Sequence, residues 1–259
     1  MRIALGVEYD GSCFHGWQVQ EGVPSVQGAL EQALAVVNDA PVTLHCAGRT
    51  DAGVHALGQV AHFDTLADRS PRSWVLGANV NLPPGVSVNW AMPVDDDFHA
   101  RFGGRRRAYR YVILNRWTRP GLLNSRVSWE RNPLDVDAMR EAAPSLLGEH
   151  DFSAFRAAAC QARNPVRTVH RLELRRQGDF VVMDVEANAF LHHMVRNIAG
   201  SLMAVGKGDR RREWIAEVLA SRDRRRAGVT APPGGLYFMW VRYEQRFAIP
   251  VRDESVSFL

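Results

Sequence analysis

The order in which two hydrophobic periods alternate over the first hundred residues constrains this fold more than any other feature. Apolar residues recur at near-alternate positions in "RIALGVEY" (2–9), as in a half-buried strand. In "PSVQGALEQALAVVND" they move to helical spacing, with Val26, Leu30, Leu34 and Val37 on one face and Ser25 placed to cap the helix. Two β-type runs follow, "VTLHCA" (42–47) and "GQVAHFDT" (58–65). "SPRSWVLGANVNLP" then reads as a helix with Pro71 in its first turn, and "VSVNWAMPV" as a strand. Strand, helix, strand, strand, helix, strand predicts an α+β layer, with helices on one face of a largely antiparallel sheet.

The polar, glycine-containing "DDDFHARFGG" (95–104) suggests a boundary, giving an N-terminal half 1–100 and a C-terminal half 101–259. The second half opens on the strand "AYRYVILN" (108–115). A helix is expected around 135–147, bent or ended by Pro144 and stopped by Gly148. "TVHRLELRRQGDFVVMDVEAN" reads as a hairpin turning at Gly178. Met194, Ile198, Leu202 and Val205 form one helix face, "EWIAEVLASRD" a shorter helix, and "GLYFMWVRY" a closing strand. The expected fold class is α+β, two halves with mostly antiparallel sheets flanking a central cleft.

Composition narrows the functional classes. The 259 residues are 46% hydrophobic and 23% charged, as in a globular chain with a sizeable core. No run approaches the ~20 apolar residues of a membrane span, and "MRIALGVEYDG" lacks the pattern of a secretory signal. A cytoplasmic location is the expectation. Cys13, Cys46 and Cys160 lie far apart with no C-x-x-C pair, which argues against a disulfide framework and a cysteine zinc site.

The net charge is +4, and nearly all the positive charge is arginine, Lys207 being the only lysine. Genomic base composition can produce that bias. Guanidinium groups nonetheless grip phosphate in a fork and stack on bases. They cluster in "RFGGRRRAYRY" (101–111), which holds Arg105, Arg106 and Arg107, and in "GDRRREW" and "SRDRRRAG". Such runs are either solvated faces or a footprint for nucleic acid.

The segment "CAGRTDAGVHALGQ" (46–59) sets Arg49, Asp51 and His55 among Gly48 and Gly53. Glycines there let the backbone turn sharply and approach a ligand. On spacing alone Asp51 can equally cap its own turn. Tyr109 and Tyr111, two apart on a strand, share a face, with Arg110 on the other. A tyrosine so placed either packs in a core or stacks on a base. His192 and His193 are adjacent and so do not chelate one metal as an i, i+4 pair can. With no P-loop, G-x-S-x-G or H-E-x-x-H, no cofactor and no metal are expected.

Taken together, "EYDGSCFHGWQVQ" (8–20), "SVQGALEQAL" (25–34), "AGRTDAGVHALGQVAHF" (47–63), "NLPPGVSV" (81–88), "DDFHARF" (96–102), "YRYVILN" (109–115), "LLGEHDFSAFRA" (146–157) and "ANAFLHHMVRNIAGSLMAVG" (187–206) resemble the TruA-type tRNA pseudouridine synthase family. The likeness covers almost the whole chain, and its G-R-T-D-x-G-V-H segment is highly specific. It implies the pseudouridine synthase fold. It also implies isomerisation of uridine to pseudouridine at positions 38, 39 and 40 in the anticodon stem-loop of tRNA. By the same resemblance Asp51 is the essential carboxylate, and Arg49 helps the target nucleotide leave the stack. Tyr109 stacks on the uracil, Arg196 pairs with the aspartate, and the enzyme is a homodimer. His55, in the same motif, and Arg105, Arg106 and Arg107 are counted with the substrate-binding set.

Chemistry is compatible with these roles. A carboxylate can split a glycosidic exchange into two easier steps. It can do so by adding to C6 of uracil, attacking C1′ or removing a proton from C2′, and the sequence leaves the three open. A guanidinium offsets the cost of placing that charge under a base. A stacked uridine must first be extruded, at a cost of a few kcal/mol. The competing readings are a tRNA-binding protein without catalysis and a nuclease or glycosidase that uses Asp51 with the acidic run 95–97.

Overall fold

A computed structural model describes residues 1–251. Its strands are β1 (Arg2–Tyr9), β2 (His45–Cys46), β3 (His55–Asp64), β4 (Val86–Val94), β5 (Arg106–Asn115), β6 (Ser128–Glu130), β7 (Gly148–Asp151), β8 (Val166–Gln177), β9 (Phe180–Ala187) and β10 (Leu236–Arg242). Its helices are α1 (Val26–Asn38), α2 (Pro71–Asn81), α3 (Val136–Ala142), α4 (Met194–Gly206) and α5 (Trp214–Ser221). The chain forms two compact units. One comprises Met1–Arg107 with the described residues from Tyr237 on, and the other is Ala108–Leu236. The C-terminal half expected from sequence, 101–259, includes residues 252–259, which lie outside the described residues.

In the first unit the strands run β4-β1-β3-β10, with β2 laid on β3. The β1–β3, β1–β4 and β2–β3 pairs are antiparallel. β10 joins β3 in parallel, through Tyr237 with His55 and Phe238 with Ala56. The expected helices form as their caps dictate. Ser25 Oγ accepts the Gly28 amide to start α1, and Ser70 caps α2 ahead of Pro71. Leu30, Leu34, Leu5, Phe63 and Trp74 are buried. Helix α2 lies close to α1, because a Cβ on Gly77 would come within 2.7 Å of Val37 Cγ2.

In the second unit the order is β5-β9-β8-β7, with β6 parallel to the end of β5. Pro144 ends α3 as its missing amide requires, and the chain continues in a 3-10 turn over Ala143–Leu146. Gly148 then starts β7, paired with β8, which the sequence did not indicate. The β8–β9 hairpin turns at Gly178, whose φ is +58°. Met194, Ile198, Leu202 and Val205 are all buried, as their spacing on α4 predicts. The strand pairing within each unit is thus mixed but mostly antiparallel. Among the described residues no helix is long and apolar enough to cross a membrane.

Candidate functional site

The loop between β2 and β3 carries Arg49 and Asp51. Its stem is an ordinary ladder, in which Cys46 pairs with Ala61 and the Ala47 amide donates to Val60 O at 2.8 Å. Beyond that, side chains replace the ladder. Gln59, 0% exposed, accepts the Gly48 amide on Oε1 at 3.3 Å and donates from Nε2 to Gly48 O at 2.7 Å. The same Nε2 lies 3.4 Å from Tyr9 Oη, and Tyr9 Oη meets Thr50 Oγ1 at 2.7 Å. Burial holds the Tyr9 hydroxyl far above the ordinary phenol range, so it stays protonated.

A second set of ties comes from the segment before α1. The Trp17 amide donates to Thr50 O at 3.0 Å, and the Gly53 amide reaches Phe14 O at 3.4 Å. Gly16 has φ +93°, and a Cβ there would sit 2.7 Å from Thr50 O. Only glycine accommodates both the dihedral and the contact. The carbonyls of Gly16 and Trp17 accept the Val26 and Gln27 amides, so the same segment caps the start of α1. Within the loop the Val54 amide closes on Asp51 O at 3.1 Å, and Gly53 takes φ +76°. Asp51 is half-buried and Arg49 exposed. The backbone around Asp51 is therefore held on both sides.

His55 turns inward. It is buried, stacks on Tyr237 with ring centroids 4.7 Å apart, and takes the Gly11 amide on Nδ1 at 3.1 Å. Asp10 Oδ1 lies at the same distance, 3.1 Å, from that nitrogen. Arg107 also faces protein. Its Nε donates to Ala47 O at 3.3 Å, and its two Nη atoms to Gly104 O at 3.2 Å and Arg101 O at 2.6 Å. Arg105 pairs with Glu244, and Arg106 is exposed.

In the second unit Tyr109 is buried, with its ring edge-on to Phe190 at 5.0 Å. Tyr111 shares its side of β5 and donates to Pro232 O at 2.8 Å, while Arg110 forms an ion pair with Asp184 at 2.7 Å. The alternation read from the sequence is present. Arg196, on α4, donates from Nε to Ala231 O at 2.8 Å, and its own carbonyl accepts the Ala231 amide at 3.1 Å. Its neighbour Asn197 is fully buried. Asn197 donates to Phe155 O at 2.7 Å and accepts from Thr230 Oγ1 at 2.7 Å and Arg224 Nη2 at 3.0 Å. Gly200 lies so close to Val229 that a Cβ would be 1.8 Å from its carbonyl oxygen. The helix turn that bears Arg196 is thus bound to residues 224–231.

Several of these residues are not among those expected from sequence. Gln59 and Tyr9 are single polar residues inside strand patterns, and Asn197 one polar residue in an apolar helix. A buried polar side chain gives no periodic signal of its own. The arginine runs divide. Arg224 faces inward, Arg225 pairs with Asp223, Arg211 with Glu217 and Arg212 with Glu141.

Residues 6–103 and 142–244 match the family model described as tRNA pseudouridine synthase. A protein of Nitrosococcus oceani named tRNA pseudouridine synthase A is 59% identical over 257 residues, covering 99% of this chain and 99% of that one. Proteins of the same name from Shewanella amazonensis and Coxiella burnetii are 54% and 53% identical, each over 96% of this chain and 96% and 95% of their own.

Proposed function

Since the chain belongs to the tRNA pseudouridine synthase family and has its fold and isomerase activity, we propose that it converts uridine to pseudouridine in the anticodon stem-loop of tRNA, with Asp51 as the reacting carboxylate. The reaction exchanges one glycosidic bond for another. C1′–N1 breaks, the uracil turns, C5 joins C1′, the C5 proton leaves and N1 gains a proton. In this reading the half 1–100 contributes the aspartate loop and 101–259 completes the site. The targets are positions 38, 39 and 40, the enzyme acts as a homodimer, and it works in the cytoplasm, where tRNA is modified.

The observation that carries the reading is the mounting of Asp51. Asp51 sits half-buried on a loop whose backbone is tied to Gln59 and Trp17 and whose Thr50 hydroxyl is bonded to Tyr9. Chemistry at a carbon centre rewards such fixing, since a displacement of ~1 Å can cost about a hundredfold in rate.

Each remaining assignment has a physical role. Arg49, exposed on the loop, is the residue that helps the uridine leave its stack. Tyr109 stacks on the extruded uracil, its ring plane set by the edge-on contact with Phe190. Arg196 is the counter-charge that keeps the carboxylate ionised and oriented. Arg105 and Arg106 supply phosphate contacts. His55 and Arg107 serve the RNA indirectly, by holding the loop segments to which they are bonded.

The test is nucleotide-resolution pseudouridine mapping of tRNA treated with wild-type protein and with Asp51→Asn. Pseudouridine at 38–40 with the wild type, and none with a variant that still binds tRNA, is the expected result. Normal turnover by Asp51→Asn would overturn the assignment.

A further inference from the structure

We infer that Gln59 and Tyr9 are positioning residues for the reaction, forming a buried polar relay whose purpose is to set the Gly48 backbone and the Thr50 side chain and, through them, Asp51. The inference rests on the reading of Asp51 given above and extends it to side chains outside the loop, on β3 and β1.

The relay stands out first by its setting. Tyr9, Thr50 and Gln59 are 4%, 7% and 0% exposed. Polar groups in a core are costly unless bonded, and an apolar side chain would fill the Gln59 position without that cost. Gln59 nevertheless uses its whole amide. Oε1 takes the Gly48 amide, and Nε2 reaches both Gly48 O and Tyr9 Oη. Tyr9 Oη in turn meets Thr50 Oγ1. Donor chemistry sets the direction of one of these bonds. Nε2 can only donate to Tyr9, whereas either hydroxyl can donate in the bond between Tyr9 and Thr50. The bonds from these two side chains go to Gly48 and Thr50, the residues on either side of Arg49, and Thr50 immediately precedes Asp51.

The strand geometry is shaped for this contact. The β1–β3 register runs evenly from Arg2 opposite Asp64 to Val7 opposite Gln59, then shifts so that Tyr9 faces Ala56. Such a bulge re-aims the side chain that follows it. Here that side chain is Tyr9, whose hydroxyl meets the loop. The neighbouring β1–β4 pair also shifts, between Gly6 and Val7. The end of β1 is irregular against both neighbours at the place where the relay begins.

Three variants test this, with tRNA affinity, melting temperature and single-turnover rate of pseudouridine formation measured for each. Gln59→Met keeps the length of the side chain and removes its bonds. Tyr9→Phe removes one hydroxyl. Leu30→Ala, in the core of the same unit, controls for loss of stability. The positioning role predicts a rate loss of roughly 10- to 100-fold for Gln59→Met with tRNA affinity within about twofold of wild type. Tyr9→Phe should lose several-fold, and the double variant should be little worse than Gln59→Met, since the two act as one relay. Leu30→Ala should keep its rate wherever it is folded. A Gln59→Met rate within twofold of wild type, or a loss that only tracks the melting temperature as in Leu30→Ala, would overturn the inference. If Gln59→Met does not fold, a wild-type rate for Tyr9→Phe overturns it. Asp51→Asn run alongside separates the two readings, because an inactive Asp51→Asn beside a fully active Gln59→Met removes the relay and leaves the catalytic assignment standing.

Discussion

The Trp17 amide donates to the Thr50 carbonyl at 3.0 Å, which ties the residue before Asp51 to the start of α1. Helix α1 begins with amides that have no partner inside the helix, and Gly16 and Trp17 supply two of the missing acceptors. One short segment therefore caps the start of a helix and braces the loop at the same time.

Gly16 is the vulnerable point of that brace. Its φ is +93°, and a Cβ would lie 2.7 Å from Thr50 O. Gly16→Ala should destabilise the protein by about 1–3 kcal/mol and lower the single-turnover rate. Chemical denaturation and rapid-quench kinetics check both, and an unchanged rate would mean that the loop tolerates movement of the brace.

Asn197 should behave as a structural hub of the second unit. Asn197→Leu leaves the Phe155 carbonyl, the Thr230 hydroxyl and the half-buried Arg224 guanidinium short of a partner. A loss of about 2–4 kcal/mol is expected from such unsatisfied groups. A urea midpoint equal to wild type would show that the network contributes nothing to folding.

Acidification should weaken the first unit before its carboxylates titrate. The His62 ring is packed against His45 and His99, and burial, then the neighbouring His99, Arg2 and His45, lower its pKa to about 4. The His99 pKa is lowered too, chiefly by burial. An unfolded histidine takes up its proton near 6.5, so the unfolded state binds protons first as the pH falls. Stability contributed by His62 is whole above about 6.5 and declines toward pH 4, by on the order of 1–3 kcal/mol. Melting temperatures from pH 7 to 4.5 measure the slope. His62→Asn, which keeps an acceptor for the Ala100 amide, should flatten it.

Thiol reactivity should divide by burial. Cys13 is exposed, whereas burial pushes the Cys46 thiol up to about 12, against the opposing pull of Arg49. The thiolate is the reactive form. Iodoacetamide at neutral pH should label Cys13 readily and spare Cys46 until the protein is unfolded, as peptide mass mapping would show. Rapid labelling of Cys46 in the native protein would contradict its placement.

Where local chemistry decides structure, the sequence was sufficient. Ser25 and Ser70 cap the helices they precede, Pro144 ends α3, and Gly178 turns the β8–β9 hairpin. The short strands were harder to see. "VTLHCA" contributes only His45–Cys46 to the sheet, while β3 starts at His55, inside the glycine-rich motif. Strands β6 and β7 are too short to show a period. In these places pairing with a neighbour, not propensity, sets the boundary.

The motifs by themselves determined the family, the α+β class and the loop that bears Asp51, because each is written in contiguous residues. Tertiary structure alone decided that Tyr237 and Phe238, near the end of the chain, lie beside His55 and Ala56. It also decided that His55 and Arg107 face protein, and that Gln59 and Tyr9 hold the loop from beneath. The physical reason is common to all of them. Burial and hydrogen-bond partnership depend on residues brought together from distant parts of the chain, and a polar side chain carries no mark in the sequence of which partner it will meet.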